Sequence, residues 1–278
     1  MSAFTTFRGK TAVVTGGASG LGKGIARQLI AEGMHVVIGD IEESALQRTA
    51  AELGAVGIRT DVSDFASVQS LATEVRGRFG TAHVVCNNAG IGPMGRIADL
   101  TIDDWRWMIG VNLWGVIHGV QAFLPMLRAN RDGGHIVNTA SVGGFITMPG
   151  LGAYALTKYG IVALTETLAQ ELAEDGSKVG VTALCPGPVR TNIKTGSRNR
   201  PRSLGRGALA DVDLEKTEFG ANARWIEPDD AGRIVVTAIR RGDLYAFTHP
   251  EQLGAVEERL KAILRAGTAP ASSGESSP

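Results

Sequence analysis

Short apolar runs alternate with longer segments of helical periodicity along most of the chain. The runs are rich in β-branched residues, as is typical of buried strands; they are TAVVT, MHVVIGD, AVGIRTDV, AHVVCNNAG, GGHIVNTAS, SKVGVTALC and DLYAFT. Between them, apolar residues recur at helical spacing, as at Leu21, Ile25 and Leu29. This alternation predicts an α/β fold with a doubly wound parallel sheet of about seven strands flanked by helices.

Neither a linker nor an internal repeat divides this pattern, so we predict a single domain over residues 1–266. Within it, residues 192–222 are polar, rich in Arg and Gly and weakly periodic, which predicts a mobile lid over a site. Residues 267–278 are rich in Ser, Pro and Gly and are expected to be a disordered tail.

Composition narrows the class of protein. The 278 residues are 44% hydrophobic and carry zero formal net charge, which excludes a disordered chain and gives no electrostatic reason to expect nucleic-acid binding. The two cysteines, Cys86 and Cys185, lie in apolar runs and are expected in the core, with no metal site. Because neither a signal peptide nor an apolar run of membrane-spanning length is evident, we expect a cytoplasmic protein that makes no membrane contact.

A glycine-rich stretch, TGGASGLG, follows the first strand and opens the first helix. Its glycines Gly16, Gly20 and Gly22 allow a tight turn, and the N–H groups of a helix N-terminus can bind a phosphate. Asp40 ends the second strand about 20 residues further on, where a carboxylate can bind adenosine ribose hydroxyls. The alternative is that Asp40 caps the next helix. Together these features predict a dinucleotide-binding fold of Rossmann type.

A second group of residues supports proton transfer. Ser141 ends a strand, and Tyr154 and Lys158 follow at positions i and i+4 of one helix, so they share a face. An ammonium about 4 Å from a phenol can lower the phenol pKa by about 3 units and make it an acid/base near neutral pH. The Ser hydroxyl can hold the substrate oxygen. The alternative is a core Tyr and a solvated Lys.

Polar residues end several other strands as well. Gly16, Asp40, Asp61, Asn88 and Ser141 all follow predicted strands, and ligands of such sheets lie beyond the carboxyl ends of the strands. Asn112 lies inside the predicted helix 103–129, where Asn is usually a packing residue.

The chain resembles the short-chain dehydrogenase/reductase family along nearly its whole length. The matching motifs are TGGASGLG at 15–22, Asp40, DV at 61–62, NNAG at 87–90, Asn112, Ser141, YALTK at 154–158 and PGPVRT at 186–191. The resemblance implies NAD as cofactor and a catalytic tetrad of Asn112, Ser141, Tyr154 and Lys158, with Asn112 holding a water of a proton relay. Beyond the tetrad residues Tyr154 and Lys158, the cofactor-binding residues are expected to be Gly16, Ser19, Gly20, Leu21, Gly22, Asp40, Ile41, Asp61, Val62, Asn88, Ala89, Gly90, Pro186, Gly187, Val189 and Thr191.

The resemblance also implies roles for single residues and for the assembly. Asn88 would contact the cofactor ribose, Asp61 and Val62 the adenine, and Thr191 and Val189 the nicotinamide. Paired helices would form a homotetramer, as the apolar residues on several faces of the helix 152–173 also suggest.

The predicted activity is hydride transfer between NAD(H) and a secondary alcohol or ketone. The C-terminal third looks loosely like the subgroup that acts on bulky aryl secondary alcohols, the Cα-dehydrogenases of lignin dimers. The substrate side is expected to include Ser141, Tyr154, Val142, Phe145 and Met148, the last three being apolar. The alternatives are an NADPH-type 3-ketoacyl-thioester reductase, against which Asp40 and Ser19 count, and a dinucleotide-binding protein without turnover.

Overall fold

The computed structural model describes residues 4–268, which form seven strands in one sheet. The strands are β1 (Thr11–Thr15), β2 (His35–Asp40), β3 (Val56–Arg59), β4 (Val84–Asn87), β5 (Gly134–Thr139), β6 (Val179–Cys185) and β7 (Tyr245–Phe247). Their order is β3-β2-β1-β4-β5-β6-β7, and every neighbouring pair is parallel. The predicted doubly wound α/β fold is confirmed.

Helices cover both faces of the sheet, because successive strand residues point to opposite sides. The helices are α1 (Gly20–Ala31), α2 (Glu43–Leu53), α3 (Phe65–Phe79), α4 (Ile102–Ile109), α5 (Gly115–Ala129), α6 (Gly152–Glu174), α7 (Glu218–Asn222), α8 (Pro228–Arg241) and α9 (Leu253–Thr268). Val14 packs with α1, α2 and α8, whereas its neighbour Val13 packs with α3, α5 and α6. Because both faces are buried, the strands read as continuous apolar runs rather than alternating ones.

A π-helical turn, Gly110–Trp114, joins α4 to α5, so the predicted helix 103–129 is one helical segment with a local irregularity. By length and composition alone, Ile102–Ala129 could cross a membrane, and the expectation that no apolar run approaches that length is wrong here. Phe123 and Leu127 of α5 are, however, fully buried in the core beneath the sheet. We therefore read its apolar composition as that of a core helix.

The segment between β6 and α8 crosses the carboxyl edge of the sheet. It is pinned at its ends by a single parallel bridge between Val189 and Ile226, and near its middle by an antiparallel bridge between Met94 and Ala210. Within it lie three short 3₁₀ stretches, Asn192–Asn199, Arg202–Leu204 and Leu214–Lys216, followed by α7. The predicted lid thus has regular local structure that its weak periodicity did not reveal; its mobility stays a prediction.

Two further expectations concern the cysteines and the C-terminus. Cys86 and Cys185 are buried and unpaired, and burial raises the pKa of each thiol to about 12, as expected for core residues. The last helix continues to Thr268, past the predicted start of the tail at residue 267. The rest of that predicted tail, from residue 269, lies outside the described residues.

Helices α1 and α8 pack closely because two glycines face each other at their contact. A Cβ atom on Gly24 would lie 2.3 Å from the carbonyl oxygen of Pro228, and one on Gly232 would lie 2.6 Å from that of Gly24. Such distances cannot be met without moving backbone, so this crossing requires glycine.

We predict that Gly24→Ala lowers the free energy of unfolding by about 1–3 kcal/mol, because overpacking a closed contact costs that much. Gly77, inside α3 with no atom near its Cβ position, is the matched control. Gly77→Ala should stabilise the protein by up to about 1 kcal/mol through helix propensity. Urea denaturation of both variants measures this, and equal changes in the two would contradict the close-contact argument.

Candidate active site

A cavity of about 560 Å³ lies beyond the carboxyl ends of the strands. Residues that follow β1, β2, β4, β5 and β6 line it, and so does the segment that precedes α8. Every residue predicted to bind the cofactor is among its lining residues. These residues are distributed along the chain from position 16 to position 191. The parallel arrangement of the strands brings them together at the carboxyl edge of the sheet.

The glycine-rich turn forms one end of this cavity and leaves little room for side chains. Gly16 has a φ of 65°, and a Cβ atom on Gly22 would lie 2.2 Å from the carbonyl oxygen of Gly16. Ser19 is the N-cap of α1, yet its side chain makes no capping hydrogen bond. The first N–H groups of α1 are therefore not satisfied by a side-chain cap, as a phosphate-binding helix N-terminus requires. These features fit the pyrophosphate of a dinucleotide.

The Asp40 carboxylate stands at the edge of the same cavity. Oδ2 accepts a hydrogen bond from the backbone N–H of Ala18 (3.0 Å) and Oδ1 accepts one from that of Glu42 (3.0 Å). Burial raises the pKa of Asp40, and the backbone hydrogen bonds oppose this rise. Helix α2 begins at Glu43 with Glu42 as its N-cap, so the alternative that Asp40 caps the helix is wrong.

The residues predicted to contact adenine and ribose are fixed by their own hydrogen bonds. Asp61 Oδ1 accepts from the backbone N–H and the hydroxyl of Ser63, at 2.9 and 2.6 Å. Asn88 Nδ2 donates to the carbonyl oxygen of Thr15 at 2.9 Å, and the Thr15 hydroxyl accepts from the Asn88 N–H at 3.0 Å. The Asn88 amide thus ties the turn after β4 to the end of β1, in addition to lining the cavity.

Ser141 and Tyr154 meet where β5 ends and α6 begins. Ser141 Oγ accepts from the N–H of Gly143 at 3.0 Å and donates to the carbonyl oxygen of Pro186 at 3.3 Å. A hydrogen bond with Ser141 also lowers the pKa of the Tyr154 phenol, although burial, the larger effect, raises it. The predicted meeting of a strand-end Ser with a helical Tyr is therefore observed.

Lys158 lies on the same face of α6, with its ammonium 5.4 Å from the centroid of the Tyr154 ring. Its Nζ donates to the carbonyl oxygen of Thr139 at 2.7 Å. Burial lowers the pKa of Lys158 to about 7, so near neutral pH a large share of the amine is uncharged. The expectation that this amine lowers the phenol pKa in the protein alone is wrong, because burial is the largest effect on the pKa of both groups.

Asn112 is buried within the π-helical turn and does not line the cavity. Its Oδ1 accepts from the backbone N–H of Ile91 at 2.8 Å and its Nδ2 donates to the Ile91 carbonyl at 3.0 Å. The side chain therefore fixes the loop that follows NNAG. Both polar atoms of the Asn112 side-chain amide are used in this contact with Ile91. A π turn also displaces backbone carbonyls from the regular helical hydrogen-bonding pattern.

The residues predicted for the substrate side do not all reach the cavity. Val142 and Met148 line the cavity, but Phe145 does not; its ring packs against Phe247 (5.4 Å) and Tyr245 (6.0 Å) at the far strand. The helical turn that begins at Val142 carries Phe145 away from the site.

Sequence reasoning also missed several apolar lining residues. Trp107 and Val111 lie four residues apart on one helix face, and Met94 and Ile193 complete this side of the cavity. The spacing of Trp107 and Val111 next to Asn112 is a signal that could have found them. Among residues 4–268, no group of His, Cys, Asp and Glu is arranged to hold a metal ion.

The arrangement agrees with known proteins. The family model of short chain dehydrogenases matches residues 10–202. The Cα-dehydrogenase of a Sphingobium species is 32% identical, with 93% of this chain and 86% of that protein covered. A short-chain dehydrogenase/reductase of Burkholderia phymatum solved in complex with NAD is 37% identical, with a TM-score of 0.86 over 94% of this chain and 96% of that one.

A further solved structure, a 3-ketoacyl-(acyl-carrier-protein) reductase of Brucella melitensis complexed with NADH, has a TM-score of 0.73 at 27% identity and covers 87% of this chain and 96% of that one. The resemblance to Cα-dehydrogenases is confirmed by the Sphingobium relative. With a matching family model and a cavity that brings together Ser141, Tyr154 and Lys158, the chain belongs to the short-chain dehydrogenase/reductase family of oxidoreductases.

Proposed function

We propose that this protein is an NAD-dependent dehydrogenase that oxidises bulky, largely apolar secondary alcohols and reduces the corresponding ketones. The observation that carries the proposal is one continuous cavity. It runs from the glycine-rich turn and Asp40, through Ser141, Tyr154 and Lys158, to an apolar wall. When bound, NAD accepts or returns the hydride; the protein binds both partners and moves the proton.

Tyr154 and Ser141 act on the substrate oxygen. The Tyr154 phenol, kept protonated by burial, donates its proton to a ketone oxygen as that oxygen becomes an alkoxide. In the oxidising direction the phenol must receive the alcohol proton, so its own proton has to leave. The protonated form of Lys158, whose Nζ lies 5.4 Å from the ring centroid, favours the phenolate that receives the alcohol proton. The Ser141 hydroxyl steadies the oxygen on which charge develops.

The substrate end of the cavity is apolar. Its wall contains Met94, Trp107, Val142, Met148 and Ile193. The charged side chains that line the cavity away from Asp40, Asp61 and Lys158 are held in ion pairs: Glu42 with Arg198, Lys194 with Asp213, Glu215 with Arg190, and Glu251 with Arg224. A substrate therefore meets apolar surface and neutralised charge, which favours an apolar molecule over a polyol or a charged acid.

Asp40 supports NAD over NADP, since its carboxylate would repel a 2′-phosphate on the ribose it is expected to bind. The same feature disfavours the NADPH-type 3-ketoacyl-thioester reductase, although the similarity to the Brucella reductase means that the fold does not separate the two. A binding protein without turnover is disfavoured because Ser141, Tyr154 and Lys158 converge in one cavity.

We also propose a homotetramer in the cytoplasm. The apolar residues of α6 that suggested a partner no longer carry the argument, because all but Leu164 are buried within the chain itself; they are Ala155, Ile161, Val162, Leu164, Leu168 and Leu172. The support instead comes from Trp114 in the π turn and Leu156 in α6, which remain 50% and 48% exposed. Unpaired, buried cysteines are consistent with a reducing compartment.

We predict a pH-dependent stability difference between the cofactor-free protein and Lys158→Met. The folded state binds the Lys158 proton less tightly than the unfolded chain does. Lys158 therefore lowers the free energy of unfolding by its full amount below pH 7, and this loss of stability diminishes as pH rises toward 10.5. From pH 7 to pH 9 the wild type should gain about 2 kcal/mol relative to the variant. Guanidinium denaturation at both pH values measures this. If the stability difference between wild type and variant did not change with pH, the pKa of Lys158 would not be lowered in the folded state.

We predict that an alcohol screen with NAD gives the highest catalytic efficiency for aryl or polycyclic secondary alcohols. NAD should exceed NADP by roughly a hundredfold, because two like charges in a partly dry site cost a few kcal/mol. Absorbance of the reduced cofactor at matched alcohol concentrations reports both comparisons. The control is Tyr154→Phe, which should lose at least about a hundredfold of the rate while still binding NADH. Best turnover of glycerol or 2-butanol would refute the substrate class.

We predict a solution mass four times that of the chain in light scattering at micromolar concentration. Trp114→Glu combined with Leu156→Glu should reduce the mass, because each charge would be buried without a partner in an interface. Ile263→Glu on the exposed face of α9, where the isoleucine is 51% exposed, serves as the control and should leave the mass unchanged. A monomeric wild type would contradict the proposed tetramer and would leave the proposed catalytic activity unaffected.

A further inference from the structure

Three consecutive residues of the lid reach opposite sides of the cavity. Arg198 and Asn199 contact Glu42, which follows β2; the Arg198 Nη2 and Asn199 Nδ2 atoms donate to its Oε1 at 2.6 and 2.9 Å. The next residue, Arg200, turns the other way and donates to Asp104 of α4 at 2.6 Å. Both of these arginines of the Arg-rich lid are thus held in ion pairs.

Glu42 belongs to the end of the cavity expected to hold the adenosine. It lies two residues after Asp40, and its own backbone N–H donates to the Asp40 carboxylate. Glu42, Arg198 and Asn199 line the same cavity as Asp40 and Ile41. The ion pair therefore closes the lid beside the carboxylate that is expected to bind the ribose.

The path of the lid before this pair follows the cavity. Thr191, the residue just before the lid, lies over the glycine-rich turn, where a Cβ atom on Gly20 would be 2.9 Å from the Thr191 Cβ. Ile193 lies against Gly92, at 2.9 Å from the corresponding Cβ position there. The segment from Thr191 to Asn199 thus passes from the phosphate-binding turn to Glu42, along the length of the site.

Arg198 also fixes the shape of this segment. While Nη2 binds Glu42, Nη1 donates to the carbonyl oxygen and the hydroxyl of Thr195, at 2.6 and 2.7 Å, and to the carbonyl oxygen of Asn192 at 3.3 Å. Releasing Glu42 would free the guanidinium that holds the turn together. The pair accordingly controls both the position of the segment and its internal order.

The two ion pairs differ greatly in burial. The side chains of Arg198 and Glu42 are 37% and 31% exposed, and such pairs change an equilibrium constant by about fivefold at most. Those of Arg200 and Asp104 are 11% and 0% exposed, and Arg200 also stacks on the Trp107 ring at 5.2 Å. Breaking a buried pair leaves an uncompensated charge, so the Arg200 contact opens far less readily.

We propose that Glu42 and Arg198 form a releasable latch that retains the cofactor, while Arg200 and Asp104 keep the substrate wall closed. The inference rests on the proposed function in taking NAD(H) as the ligand. The lid opens between Asn199 and Arg200, so the cofactor can leave without dismantling the wall that carries Trp107. Glu42 and Arg198 are positioning residues that act through the lid.

The test is the rate of NADH release, followed by its fluorescence in stopped flow after mixing with excess NAD. Glu42→Gln and Arg198→Gln should each release NADH about two- to fivefold faster, in line with the weight of a half-exposed pair. The effects of the two substitutions should be less than additive in the double variant, because the contact between Glu42 and Arg198 is lost in all three variants. The wild-type rate should rise with salt more steeply than that of Glu42→Gln, because salt screens the pair.

Arg206→Gln is the matched control. Arg206 lies in the same lid and is exposed, and the described residues include no hydrogen-bond or ion-pair partner for it. Its variant should release NADH at the wild-type rate, and melting curves should show all variants folded. Unchanged release from Glu42→Gln, additive effects in the double variant, or an equal effect of Arg206→Gln would each overturn the latch. A wild type that bound no NADH would overturn the cofactor assignment together with it.

Discussion

The active site depends on directional hydrogen bonds that set the rotation of helix α6 about its axis. Helix α6 is apolar on several faces, and hydrophobic burial has no preferred direction, so packing alone does not choose which face meets the sheet. Two buried contacts with β5 do: Asn138 Nδ2 donates to the Thr165 hydroxyl at 3.1 Å, and Lys158 donates to the Thr139 carbonyl at 2.7 Å. Lys158 and Thr165 are two turns apart on one face.

This polar contact extends into the sheet, because Asn87 Nδ2 donates to Asn138 Oδ1 at 2.9 Å. Strands β4 and β5 and the helix bearing Tyr154 are thereby held in one orientation. The cost is a lysine in a site where its charge is poorly solvated, seen in a pKa of about 7. The residue that orients the helix is thus also the residue whose protonation can change near neutral pH.

Sequence reasoning found the features that local order determines. Strand ends are marked by where an apolar run stops, so Asp40 and Ser141 could be assigned to one edge before any coordinates. Tyr154 and Lys158 followed from helical spacing alone. The failures concern geometry that spacing does not encode. Phe145 was misplaced because it ends a short 3₁₀ turn that begins at Val142, and its ring packs against Phe247 instead of lining the cavity.

The remaining differences arise from contacts between residues distant in the chain. Arg200 and Asp104 are 96 residues apart, so nothing in the basic composition of the lid could reveal that Arg200 has a buried partner. The pKa of Tyr154 was misjudged for a similar reason. A pairwise Coulomb estimate includes the nearby amine but leaves out the burial of both groups. Burial depends on the whole fold and cannot be obtained from sequence spacing.

The single bridge between Val189 and Ile226 has a consequence for how such a protein can diversify. It holds the two ends of the intervening segment beside each other, so that segment forms a closed loop attached to the sheet. Closing a flexible loop twice as long costs only about 0.6 kcal/mol more. Insertions and deletions in the later part of this segment, beyond Arg198 and Asn199, therefore change the shape of the wall with little strain on the cofactor edge. Substrate range can evolve there while the dinucleotide site remains intact.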